Sequence, residues 1–286
     1  LMLSGIGNRD TLSKFGIETK VNLPGVGRNL QDRYEVSVVS KLKSNFSALE
    51  NCSFGKAGDQ CLADYYRNPK EEIYGTNGVL LSLVKRSHPS LKDPNLFIFA
   101  LPGRFKGYYQ GWSDDALTKN YLTWAILKGH TQNQSGHVTL KSSDPTDTPI
   151  INFKYFHESV LGYKHDLHAV RTGVETARRM NNRISHLIDR EVYSGTHIKS
   201  ESDVNDWIQN EAWGHHASCS NKIGNDRDPM SVLDKKFRVR GVDGLRVVDA
   251  STFNRIPGLF IVCPIYMISE KAADVIIDDA KSLPWV

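Results

Sequence analysis

Leu23-Pro24-Gly25-Val26-Gly27-Arg28-Asn29-Leu30-Gln31-Asp32 packs one proline and two glycines into a short span. That density marks a turn running into an extended segment, not a helix interior. Outward from it, Val36 to Leu42, Gly78 to Val84, Leu96 to Leu101 and Tyr121 to Leu127 are short β-branched or apolar runs bounded by turn formers, and they read as sheet strands. Gly136 to Ser142 alternates with period two and stops at Asp144-Pro145, so it reads as a further strand with one buried face. From Tyr163 the apolar positions Leu167, Val170, Val174, Ala177 and Met180 recur at three and four residues, the spacing of one helix face. Lys164, Asp166, Arg171, Glu175 and Arg178 are taken as its solvated side. Ser44 to Asn77 is polar and reads as an excursion with a short helix around Gln60 to Tyr66. Leu245 to Asp249 reads as a strand, and Pro264 is suited to the first turn of a last helix through Met267, Ala272 and Ile276.

The chain has 286 residues, 40% hydrophobic and 24% charged, the composition of a globular protein of one large or two smaller domains. Thirty-six basic against 32 acidic residues leave +4, and no block of like charge suggests a nucleic-acid or membrane partner. The run from Leu259 to Ile268 is far short of the roughly 18 apolar residues of a membrane span. The first residues carry no initiator methionine and no signal peptide, so a fragment is expected. Acceptor sequons at Asn45, Asn51 and Asn133 point to a secreted or secretory-pathway glycoprotein if they are used. Cys52 and Cys61 stand close enough for a local disulfide or remain free thiols.

Five separated stretches resemble, in order, the glucose-methanol-choline (GMC) oxidoreductase family. Ser4 to Gly7 is similar to the end of its second signature. Leu23 to Asp32 resembles its LPGVGxNLxDH loop, with Arg33 in place of the usual histidine. Gly136 to Pro145 resembles its GxVxLxSxDP strand. His215 to Gly224 is similar to its active-site segment HPxxTCxMG, and Val239 to Ser251 to its returning FAD strand. The resemblance implies an α/β fold, α+β overall. A Rossmann-like FAD-binding domain would contain residues 1–33 and 206–286, and residues 34–205 would form a substrate domain with an antiparallel sheet and helices. No G-x-G-x-x-G turn occurs to cradle the pyrophosphate. An N-terminal segment or companion chain is therefore expected to complete the FAD site.

By the same resemblance His216 falls on the catalytic histidine, with His215 as the alternative if the register slips by one. Histidine suits a base that takes a hydroxyl proton near neutral pH. The family's second catalytic position, usually histidine or asparagine, falls on Phe260, which can neither accept nor donate a proton. Asp249, Ala250, Val262, Pro264 and Ile265 would lie against the flavin, although Asp249 also reads as a loop-capping acid. No metal ligands are assigned. The implied activity is FAD-dependent oxidation of a small-molecule alcohol, bulky or aromatic given Phe260; the alternative is a non-redox cyclase or lyase on the same flavin fold.

Overall fold

The computed structural model describes residues 1–282. Along the chain run strands β1 (Ile6–Gly7), β2 (Val21–Asn22), β3 (Arg28–Leu30), β4 (Tyr34–Leu42), β5 (Leu81–Lys85), β6 (Leu96–Leu101), β7 (Tyr121–Lys128), β8 (Gly136–Thr139), β9 (Ile150–Asn152) and β10 (Ile188–Tyr193). The helices are α1 (Arg9–Ser13), α2 (Gln60–Arg67), α3 (Trp112–Ala116), α4 (Tyr163–Arg183), α5 (Glu201–Glu211) and α6 (Val262–Ser282). They fall into two compact units, one made of residues 1–33, 130–163 and 215 onward, the other of 34–129 and 164–214.

The bounds of these units differ from those of the expected domains in two places. Residues 130–163 leave the middle block because β8 pairs with β3 on one edge and β9 on the other. The chain returns to the first unit after 214, not 205: α5 buries Val204, Trp207 and Ile208, and Trp213 exchanges main-chain hydrogen bonds of 2.8 and 3.0 Å with Glu35.

The second unit is built on an antiparallel sheet of order β10-β4-β7-β6-β5. Its strands β4 and β7 are buried almost throughout, β7 with a mostly apolar run and β4 with Glu35, Ser37 and Ser40 buried among its valines. The α4 helix lies on this sheet. Its expected apolar stripe is buried at Leu167, Val170, Val174 and Ala177, and Gly173 comes so close that an added Cβ would stand 2.4 Å from Ile126 Cγ2. Asn181 ties the helix to two strands at once, accepting from Trp124 Nε1 at 2.8 Å and donating to Ser40 Oγ at 3.0 Å. Asp166 is not on the solvated side as expected. It is fully buried, 3.2 Å from the equally buried Lys128 ammonium at the end of β7, because a carboxylate withdrawn from water needs an opposite charge. The polar excursion after β4 is ordered by a Cys52–Cys61 disulfide beside Leu49, and the Asp59 carboxylate accepts from the Ser53 and Gly55 amides and the Tyr74 hydroxyl.

The first unit carries the three-stranded sheet β3-β8-β9, the two-residue parallel pair β1-β2, and a core of Ile6, Val26, Val232, Leu233 and Val239. Leu245 to Asp249 does not form the expected strand. Its ladder amounts to one bridge, Arg238 to Arg246, so the run stays an irregular segment with Val247 N–H donating to Phe237 at 3.1 Å. The last helix begins at Val262, which puts Pro264 in its first turn as expected.

Asn181→Ala removes the acceptor of a buried indole N–H and is expected to cost about 1–3 kcal/mol. The check is a lowered urea midpoint at unchanged slope; a wild-type midpoint would show that Trp124 finds another partner.

Candidate active site

Residues 218–223 make main-chain hydrogen bonds to two pieces of chain, around a turn at Ser220 and Asn221. On one side Gln31 and Ser218 exchange N–H···O=C bonds of 3.0 and 2.9 Å, and Gly27 N–H donates to Ser220 at 2.9 Å. On the other, the amides of Cys219, Asn221 and Ile223 donate to the carbonyls of Ala250, Ser251 and Thr252 at 3.0, 2.9 and 2.9 Å. Main-chain hydrogen bonds thus tie the loop of Leu23 to Asp32 and the turn after Asp249 to the segment His215 to Gly224. The glycines of the loop permit it. A Cβ on Gly25 would stand 2.1 Å from the Met230 carbonyl oxygen, and Gly27, at φ +75°, lies where a Cβ would meet Val138 O at 2.2 Å.

The side chains of the same loop reach further. Asn29 Nδ2 donates to the carbonyls of Cys219 and Asn254 at 3.1 Å each, Gln31 Nε2 donates to Asn254 O at 3.1 Å, and Gln31 Oε1 accepts from Ile256 N–H at 3.2 Å. Arg33, completely buried, donates through Nη2 to the Pro257 carbonyl. Alternate residues 29, 31 and 33 therefore hold the loop that delivers Phe260.

Between them, Asp32 points the other way. Its Oδ1 accepts the amides of Arg33 and His216, both at 2.8 Å, and its Oδ2 accepts the Tyr155 hydroxyl at 2.6 Å. Burial raises the carboxyl above its ordinary range, against the pull of the Tyr155 hydroxyl and the two amides.

His216 is 7% exposed, while His215 beside it is exposed, with ring centroids 4.2 Å apart. The Phe260 ring meets the His216 ring edge to face, centroids 5.9 Å apart at 88°, and is itself 39% exposed. Burial, then the charges of His215 and Arg33, push the His216 imidazole down to about 3, so the ring is neutral at physiological pH. Its Nδ1 is buried without a hydrogen-bond partner among the described residues. Cys219, buried at φ +72°, has its thiol pushed up to about 11 by burial and is no nucleophile.

The structure brings His215, His216 and Phe260 together and puts the Ala250 carbonyl on the Cys219 amide. Asp249 behaves as the capping acid: its Oδ1 accepts from Ser251 N–H at 2.7 Å at the head of a short 3₁₀ turn, Ala250–Thr252. Val262 is exposed at the start of α6, Pro264 is half-buried, and Ile265 packs toward Cys219, Ile256 and Ile261. Sequence reasoning missed Asp32 and Tyr155. Asp32 closed the quoted loop, a usable signal, but nothing around Tyr155 announced a partner for it.

The fold is shared with the crystal structure of formate oxidase, at TM-score 0.79 and 24% identity over 99% of this chain and 52% of that one. Residues 132–269 match the GMC oxidoreductase family. The chain is 31% identical over 288 residues to an oxygen-dependent choline dehydrogenase of Photobacterium profundum, covering 99% of this chain and 48% of the relative. It is 30% identical over 283 residues to the mitochondrial choline dehydrogenase of Homo sapiens, covering 96% and 45%. Residues 132–269 of this chain thus belong with the GMC oxidoreductase family, and the chain spans about half the length of the curated relatives it matches.

A histidine held neutral in the folded protein has fewer protons than in the unfolded chain between its folded value of about 3 and its ordinary 6.5. Stability attributable to His216 is therefore present above pH 6.5 and is lost as pH falls through that window. Thermal melts from pH 7.5 to 4.5 should fall less steeply in His216→Gln than in wild type. Parallel curves would show that the ring titrates normally in the fold.

Proposed function

We propose that this chain supplies the substrate side and part of the cofactor site of an FAD-dependent enzyme that oxidises an alcohol, with His216 as the base. The observation that carries the reading is the state of His216: buried, neutral, anchored through its main chain and faced by an apolar ring. Relatives named as choline dehydrogenases, and the Aspergillus oryzae formate oxidase studied for FAD modification, support the cofactor and the reaction class.

The residues present fit a flavin. His216 Nδ1 and Asn221 Oδ1 are buried polar atoms without partners among the described residues, sites at which a bound cofactor or substrate would complete the hydrogen bonding. Asp249 and Ala250 would hold the cofactor through their main chain. The first turn of α6, with Val262, Pro264 and Ile265, would present its N–H groups and the positive end of the helix dipole to negative charge. When bound, FAD supplies the two-electron acceptor for the carbinol hydrogen. His216 orients the substrate hydroxyl and accepts its proton. Because burial makes a standing imidazolium costly, proton uptake is favourable only in step with cleavage of the C–H bond. Phe260 offers a flat apolar wall where a second polar group would otherwise steady the hydroxyl, which favours a bulky or aromatic alcohol. The same wall favours the second reading, a cyclase or lyase on the flavin fold, in which no net oxidation occurs. An N-terminal segment or companion chain would add the pyrophosphate turn.

His216→Ala is expected to abolish turnover. Phe260→His should remain active and gain activity toward simple alcohols, since one positioned polar group contributes on the order of a hundredfold in rate. Anaerobic bleaching of the flavin absorbance by candidate alcohols is the measurement. Bleaching at the wild-type rate in His216→Ala would remove the base, and product formed without bleaching would favour the non-redox reading.

An oxidising, secretory compartment is part of the proposal, supported by the Cys52–Cys61 disulfide and by the exposed sequons Asn45 and Asn51. Asn133 is withdrawn from it. That residue is 4% exposed and its Nδ2, the atom a glycan would occupy, donates to Phe153 O at 2.8 Å. Glycopeptide mapping of protein from its native source should find sugar at Asn45 or Asn51 and none at Asn133; occupied Asn133 would contradict the fold around it.

A further inference from the structure

We infer that Asp32 and Tyr155 are positioning residues for His216, acting on its main chain instead of its ring. The inference rests on the reading of His216 as the base. A histidine used as a base is ordinarily oriented through its second ring nitrogen, by a carboxylate or carbonyl that fixes tautomer and tilt. Here Nδ1 is buried and has no such partner among the described residues. Something else must fix the imidazole.

Two contacts do so. The Phe260 ring closes one face, an apolar contact that limits rotation but supplies no directional bond. The directional bond is the one from the His216 amide to Asp32 Oδ1, 2.8 Å long and joining residues 184 apart in sequence. Asp32 in turn is steadied from three sides. Its own Oδ1 also takes the Arg33 amide, Oδ2 takes the Tyr155 hydroxyl at 2.6 Å, and its carbonyl accepts from Thr131 Oγ1 at 2.9 Å. Tyr155 makes a second contact, 3.3 Å to the Arg33 carbonyl, which ties the phenol to the same corner. A carboxylate that is 4% exposed is costly to bury. Its position directly beneath the candidate base gives the anchor a task that Leu30 or Val26 could not perform. The ionisable and charged groups facing it are Tyr155, Arg33, His215 and His216.

The roles of the two carboxylate oxygens predict which substitutions matter. Asn at position 32 can still accept the His216 and Arg33 amides through its carbonyl oxygen, while Tyr155 turns its proton to Arg33 O. Ala at position 32 accepts nothing. Phe at position 155 keeps the bulk and removes one donor.

The experiment compares wild type, Asp32→Ala, Asp32→Asn, Tyr155→Phe and His216→Ala in the intact FAD-loaded protein. It reads kcat and KM for the best alcohol, together with deuterium uptake of peptides spanning 214–218 and of α6. In Asp32→Ala we expect kcat to fall by about a hundredfold, the scale of a misplaced catalytic group. KM should change little, and uptake should be faster at 214–218 with α6 unaffected. Asp32→Asn should recover most of kcat and the slow uptake. Tyr155→Phe should lie between and serves as the test should Asp32→Ala not fold. Wild-type kcat or wild-type uptake at 214–218 in Asp32→Ala or, should that variant not fold, in Tyr155→Phe overturns the positioning role, as does an Asp32→Asn variant no better than Asp32→Ala. Turnover surviving in His216→Ala sinks the base reading, and the positioning role with it.

Discussion

Main-chain N–H and C=O groups that leave water must find partners, and the segment from Ser218 to Ile223 finds them on both flanks. Everything near His216 follows from that double pairing. Ser218 and Ser220 are committed to the loop before Asp32, so that loop is fixed in register and its side chains alternate in what they hold. Asn29, Gln31 and Arg33 grip the approach to Phe260, whereas Asp32, one step out of phase, grips His216. A shift of one residue would exchange these tasks. It would bring an amide side chain to the histidine and a carboxylate to the Phe260 loop.

The electrostatics of the site follow from the same arrangement. Arg33 and His215 sit close enough to His216 to oppose a positive charge on it, and burial opposes it further. Asp32 spends its acceptors on two amides and a phenol instead of on the imidazole. The ring is thus kept ready to receive a proton and is given little help in keeping one. Phe260 extends this bias, since an apolar neighbour cannot share the proton.

Much of the architecture could be read from sequence because it depends on local periodicity. The strands at Leu96–Leu101 and Tyr121–Lys128 and the buried stripe of α4 follow from alternation and from three-and-four spacing, which short-range pattern reveals. Where tertiary partners decide, pattern failed. Leu245 to Asp249 has β-branched content but one bridging neighbour; Asp166 reads as solvent-facing until Lys128 is known to lie against it; residues 130–163 belong with β3 through pairing that no local signal carries. At the candidate site, resemblance pointed to His216 and Phe260, and the structure puts their rings together. It also shows Asp249 in its plainer capping role, and it adds Asp32 and Tyr155, whose importance lies wholly in what they reach across the chain.

The pairing of Gln31 with Ser218 also bears on how the molecule comes into being. Gln31 and Ser218 are 187 residues apart, yet they exchange main-chain bonds. Closing so long a loop is entropically unfavourable until many other contacts are in place, and such pairings slow folding. During synthesis the Leu23 to Asp32 loop leaves the ribosome long before its partners exist. The antiparallel sheet of β4 to β7, local by comparison, can form while that loop waits. The neighbourhood of His216 is therefore expected to be among the last parts of the chain to take shape.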